Sequence, residues 1–128
     1  MIDKISQVKF NPMNEIHENE VQVLNQLLQA IQDNKDIENK FDLFLEDVKN
    51  HFNFEQELME KHNFFAKVPH KMEHDKIVRE LEEIKNTKLD DIQFLKDYFD
   101  KYFIPWLENH INTMDTVTAG YFDMIGLK

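Results

Sequence analysis

Apolar residues recur along this chain three to four positions apart, the spacing of one helix face, in four successive stretches. The first predicted helix runs from about Asn14 to Gln32, with Ile16, Val21, Leu24, Leu28 and Ile31 on its stripe and Asn14 as N-cap. The second runs from about Ile37 to His62 on Phe41, Leu45, Val48, Phe52 and Met59. The aromatic stretch Asn63-Phe64-Phe65-Ala66-Lys67 follows, and Pro69 then reads as the first residue of a third helix. That helix carries Ile77, Leu81 and Ile84 inward and ends near Lys85. Thr87 with Asp90 has the form of an N-cap and its acidic third residue, opening a fourth helix on Ile92, Leu95, Phe99, Phe103 and Trp106. Pro105, inside that helix, predicts a kink. The tail from Thr116 has no assignment.

Long helices with short connections predict an all-α fold, an antiparallel up-down-up-down four-helix bundle occupying residues 1–128 as one domain. The residues before Asn14, including Pro12, read as an extended N-terminal arm across one end. The rarity of turn-formers agrees: glycine occurs twice, at Gly120 and Gly126, and proline three times.

Composition then narrows the chemistry. There is no cysteine, which excludes disulfides, thiolate metal sites, iron–sulfur clusters and thiol catalysis. A net charge of −10 opposes binding to nucleic acid and to anionic membrane surfaces. No apolar run reaches the roughly 18 residues of a membrane span. Met1-Ile2-Asp3-Lys4-Ile5 lacks the apolar core of a secretory signal, so the expectation is a cytoplasmic protein.

Six histidines remain, and their positions matter more than their number. His17 continues the stripe of Val21, Leu24, Leu28 and Ile31, and His51 lies in the arc of Phe41, Leu45, Val48 and Phe52. His74 precedes Ile77 and Leu81, and His110 follows Phe103 and Trp106. Histidines on all four helices therefore point inward. A lone buried imidazole is usually a hydrogen-bonded core residue, but several rings buried together are costly unless something takes their lone pairs. A metal does so, and imidazole is the commonest metal ligand.

Glu55 follows His51 by four residues, and His74 follows His70 by four, so each pair shares a helix face. Asp115 follows His110 by five, which on a regular helix rotates it about 140° away. If Asp115 is a ligand, the backbone must loosen or end between Asn112 and Asp115. HxxxE and HxxxH alone are weak signals, and His62 and Glu73 read as bystanders. The full set, His17, His51-x3-Glu55, His70-x3-His74 and His110-x4-Asp115, is specific for a metal site. The residues alone leave zinc open as well as iron, and a metal-free interaction module as the plainest rival.

The set resembles the hemerythrin family over nearly the whole chain. The local contexts match: Asn14-Glu15-Ile16-His17, His51-Phe52-x-x-Glu55-x-x-x-Met59, Pro69-His70-x3-His74, and Trp106-Leu107-x-x-His110-Ile111-x3-Asp115. The resemblance implies a four-helix bundle with a non-haem di-iron centre. His70, His74 and His110 would hold one iron and His17 and His51 the other. Glu55, Asp115 and an oxo or hydroxo bridge would join them. Leu107 corresponds to a leucine lining the oxygen pocket in that family, and Trp106 flanks the same region. The chain departs from the family at Asn14, where aspartate is common, and at Gln56, where glutamate is common. Its arm has no tryptophan, and Phe10 is the candidate to fill that space. None of these departures removes a ligand.

Five imidazoles and two bridging carboxylates would leave one iron with an open position, suited to dioxygen. Di-iron oxidases use four glutamates and two Glu-x-x-His motifs. No glutamate here lies three residues before a histidine. The expectation is reversible dioxygen binding for storage, delivery or sensing, by a binding protein and not an enzyme. The alternative is reduction of peroxide or nitric oxide, or sensing, at the same site. Nothing in the sequence points to a protein partner.

Overall fold

All regular structure among the described residues is helical. The computed structural model describes residue 2 and residues 4–127. Helix α1 spans Asn11–Asp33, α2 Ile37–Lys61 and α3 Lys67–Thr87. The fourth rod, residues 92–124, is one helical run. Its α-helical parts are α4 (Ile92–Asp97), α5 (Ile104–His110) and α6 (Thr116–Met124), joined by π-helical turns at Tyr98–Phe103 and Ile111–Asp115.

Several helix ends differ from the sequence reading, each for a local reason. Helix α1 starts at Asn11, so Pro12 lies in its first turn, where a missing N–H costs nothing. Asn14 is therefore not an N-cap. Its buried amide accepts the Val8 N–H at 2.8 Å and donates to the Val8 carbonyl at 2.9 Å, tying the preceding segment to the helix. Asn25 does the same for Ile2, at 3.0 and 2.8 Å. Helix α3 starts at Lys67, two residues before Pro69. Thr87 is the last residue of α3, its hydroxyl donating to the Glu83 carbonyl at 2.7 Å. The cap of α4 is Asp91, which accepts the Phe94 N–H at 3.0 Å, and Asp90, expected inside the first turn, lies before the helix. The unassigned tail is α6.

The turn between α1 and α2 uses no glycine. Asn34 and Asp36 take the left-handed conformation at φ 50° and 60°, and the Asn34 N–H closes α1 on Ala30 and Ile31.

One end of the core is apolar and aromatic. Phe44 meets Phe99 and Phe103 edge-on at 5.9 and 5.3 Å, and Phe41 meets Phe99 at 6.3 Å. Leu81, Leu95 and Ile77 complete that region, all fully buried. On α1, Leu27 is fully buried while Leu28, on the expected stripe, is half-buried. A second aromatic group gathers Phe10, Phe64 and Phe122, with Phe10 on Phe122 at 5.3 Å. Buried Phe10 thus packs against the fourth rod. Among the described residues, no helix is long and apolar enough to cross a membrane.

Candidate metal centre

Helix α1 brings His17, α2 His51 and Glu55, α3 His70 and His74, and the fourth rod His110 and Asp115. All seven side chains are buried and meet in the core. The four-residue pairs meet because α-helical geometry stacks them. His110 and Asp115 meet because residues Ile111–Asp115 form a π-helical turn. There the Thr116 N–H reaches back five residues to the Ile111 carbonyl, and the Thr116 hydroxyl donates to the same oxygen at 2.7 Å. The wider turn is the loosening that the five-residue spacing required, and it leaves His110 Nε2 3.2 Å from Asp115 Oδ1.

The two carboxylates each divide their oxygens between two groups of histidines. Glu55 turns Oε2 to His51 Nε2 (2.6 Å) and His17 Nε2 (3.5 Å), and Oε1 to His74 and His70 (3.3 and 3.5 Å). Asp115 turns Oδ2 to His17 (3.0 Å), and Oδ1 to His70 (3.1 Å) and His110 (3.2 Å). Two overlapping sets result: Glu55, His70, His74, His110 and Asp115; and His17, His51, Glu55 and Asp115. Within each set the donor atoms lie within 4.8 Å of one another. Opposite ligands of one ion, at bonds of about 2.0–2.2 Å, stand about 4 Å apart, so either set could hold a metal.

Many of these close approaches are not aligned as hydrogen bonds. Glu55 Oε1, both Asp115 oxygens, His70 Nε2 and both His17 nitrogens are buried with no hydrogen-bond partner among the described residues. Buried polar atoms left unpartnered are strongly disfavoured, and here they are concentrated where two donor sets converge. Nitrogen and carboxylate oxygen donors of this kind fit a first-row transition metal.

Four of the five imidazoles are held from behind. His51 Nδ1–H donates to Glu20 at 3.0 Å and His110 Nδ1–H to Glu73 at 2.6 Å. Thr118 Oγ1 lies 2.8 Å from His70 Nδ1; its own proton goes to the Met114 carbonyl, so it accepts from the ring. The Gln56 amide reaches His74 Nδ1 at 3.2 Å, and Phe52 stacks on the His74 ring at 3.8 Å. Glu20, Glu73 and Thr118 accept from Nδ1–H and so fix the tautomer that leaves Nε2 free for a metal, while Gln56 and Phe52 orient the His74 ring.

The sequence reading missed these partners. Glu73 is not a bystander, but it reaches His110 across two helices, which spacing cannot reveal. Glu20 did carry a signal, as an acidic residue three positions after His17 on an apolar stripe.

The chain's own groups balance charge with protons. Burial works against charge on His17 and His110, but carboxylates outweigh it, Asp115 and Glu55 at His17 and Asp115, Glu73 and Glu55 at His110, and hold both at about 9. Burial opposes charge on His51 too, and Glu55 and Glu20 raise it well above the usual range. His74 goes the other way, lowered to about 4 by burial, reinforced by His70 and His110 and only partly opposed by Glu55. Glu55 is held far below the carboxylate range despite its burial, chiefly by His51. A metal entering here must displace protons from several rings.

Leu107 is buried, and Trp106 is half-buried and stacked on the His110 ring at 4.7 Å. His62 belongs to neither donor set. It follows the last turn of α2, and its carbonyl accepts the Tyr121 hydroxyl at 2.6 Å.

Residues 9–121 match the family model described as the hemerythrin HHE cation binding domain. The chain is 35% identical to a bacteriohemerythrin of Aquifex aeolicus, over 91% of this chain and 92% of that protein. It is 32% identical to hemerythrin-like proteins of Naegleria gruberi and Naegleria fowleri, over 86% of this chain and 82% of each of those. No solved structure matches it. A cation-binding family model over most of the chain, and buried histidine and carboxylate donors in two sets, lead to one conclusion: the chain belongs to the hemerythrin family.

Proposed function

We propose that the protein binds dioxygen reversibly at a pair of iron ions. His70, His74 and His110 hold one, His17 and His51 the other, and Glu55 and Asp115 bridge them. One observation carries this reading: each carboxylate turns one oxygen to each histidine group. That arrangement suits two cations side by side better than one. The name bacteriohemerythrin borne by the Aquifex relative points the same way.

A ferrous pair would supply the two electrons that dioxygen accepts on binding. The chain's residues do the rest. The second set has one histidine fewer than the first, which leaves room for a small ligand on that side. Buried Leu107, three residues before His110, would keep water and anions out while a small apolar gas enters. Histidine-rich coordination supplies little negative charge to stabilise highly oxidised iron, which favours binding over oxygenation.

The same reading takes the chain as one domain with an up-down-up-down order and an N-terminal arm, acting in the cytoplasm. The pairings of Asp42 with Lys85, Lys49 with Glu82 and Gln56 with His74 run oppositely along α2 and α3 and support that order. The test is iron analysis with an anaerobic visible spectrum, repeated after admitting oxygen and after purging it. Two irons per chain and a spectral change that reverses are expected. One iron or none, or an irreversible change, rejects the proposal.

A further inference from the structure

Among the described residues, Glu20 is a sealed carboxylate whose ion-pair partner is His51 alone. Its side chain is 2% exposed. The nearby acid Asp47 adds to the negative charge there. A carboxylate so placed is strongly disfavoured unless positive charge lies close by.

The geometry supplies the reason for its presence. Glu20 Oε1 lies 3.0 Å from His51 Nδ1, while His51 Nε2 faces Glu55 at 2.6 Å. An ionised carboxylate only accepts, so Nδ1 carries the proton. In the neutral ring Nε2 then holds its lone pair, aimed at the donor set of His17, His51, Glu55 and Asp115.

We infer that Glu20 is a positioning residue for the two-histidine side of the centre: its carboxylate fixes the His51 tautomer and makes that ring a stronger electron donor to the metal.

This rests on the iron-pair reading above and adds to it an inequality between the two sides. On the three-histidine side His70 and His74 meet the neutral groups of Thr118 and Gln56, and His110 meets Glu73. Glu73 is 26% exposed, so solvent screens its charge. On the two-histidine side His17 Nδ1 has no partner among the described residues, so among them Glu20 alone acts from behind. Its charge, shielded from solvent, would act on the iron with fewer nitrogen ligands. Stronger donation favours ferric over ferrous iron on that side.

Glu20→Gln keeps the shape and removes the charge. Outer partners of metal-bound histidines typically contribute about 10–100-fold to metal affinity, and a loss in that range is expected by chelator competition. The midpoint potential, read by spectroelectrochemical titration, should become more positive. A role in packing alone predicts neither change, because glutamine is easier to bury than glutamate. Glu18→Gln, exposed on the same helix, is the control and should behave as the parent. If Glu20→Gln does not fold, Glu20→Asp keeps the charge at a longer reach and should move both quantities the same way by less. A folded variant with the parent's affinity and potential overturns the inference while leaving the iron pair in place. A parent chain that binds no iron pair overturns both.

Discussion

The π-helical turn at Tyr98–Phe103 and the one at Ile111–Asp115 interrupt the same rod, yet they answer different demands. The first precedes Pro105, which has no N–H to give and whose ring crowds the carbonyl four residues back. There the Ile104 N–H reaches back to Phe99, and Phe99 and Phe103 both stay in the aromatic core. The second contains no proline. It gathers His110 and Asp115 on one face, and Thr116 and Thr118 hydroxyls take up the Ile111 and Met114 carbonyls. One turn accommodates a backbone defect, and the other builds a site. The regions around them differ accordingly. The aromatic end is held by contact and needs no ligand. The polar end buries three carboxylates and five imidazoles, and its charges must be balanced by protons or by metal.

Asp115→Ala attacks the polar end where both donor sets overlap. It should abolish loading of both irons and cost the metal-free bundle about 3–5 kcal/mol, because the histidines lose a buried counter-charge. Iron analysis and chemical denaturation check this; retention of two irons would sink the assignment of Asp115 as a bridge. Phe44→Ala strikes the aromatic end and should cost about 3–5 kcal/mol with two irons still bound after folding. If Phe44→Ala strips the iron as thoroughly as Asp115→Ala, the two ends are not separable.

Leu107→Ala probes the boundary between them. It should cost about 2–5 kcal/mol, with the seven proposed ligands unchanged. It should also speed autoxidation and anion binding, since water gains entry. Stability, iron content and autoxidation are to be measured on one preparation. A loaded variant that autoxidises at the parent rate leaves Leu107 as core packing.

The smallest effect is a pH slope confined to the polar end. After metal removal, His17 and His110 titrate at about 9, above the ordinary histidine value of 6.5. Their contribution to stability is therefore complete below pH 6.5 and is lost as pH rises through 9. His74, lowered to about 4, acts oppositely and loses stability as pH falls from 6.5 towards 4. The Tm of the metal-free protein should peak near pH 6.5, and that of the loaded protein should vary less, because metal replaces the protons. Parallel profiles would mean that protons and metal do not compete for these rings.

The sequence by itself determined the helices and their inward stripes, because helical periodicity is local and survives without any neighbour. It also brought out all seven residues of the two donor sets, because two four-residue spacings fix shared faces and His17 and His110 lie on inward stripes. The five-residue step from His110 to Asp115 announced a backbone departure there. The aromatic end was less legible. Pro105 promised a kink, but not that a π-helical turn would take it up and keep Phe99 and Phe103 buried. Helix caps slipped as well, as with Asn14, because a cap and a clamp on a neighbouring segment use the same side-chain chemistry. Only the tertiary structure decided what stands behind the histidines. Glu20 meets His51, Glu73 meets His110 and Thr118 meets His70 across 31, 37 and 48 positions of chain. Those meetings depend on how whole helices are set against one another, and no periodicity within a single helix encodes that.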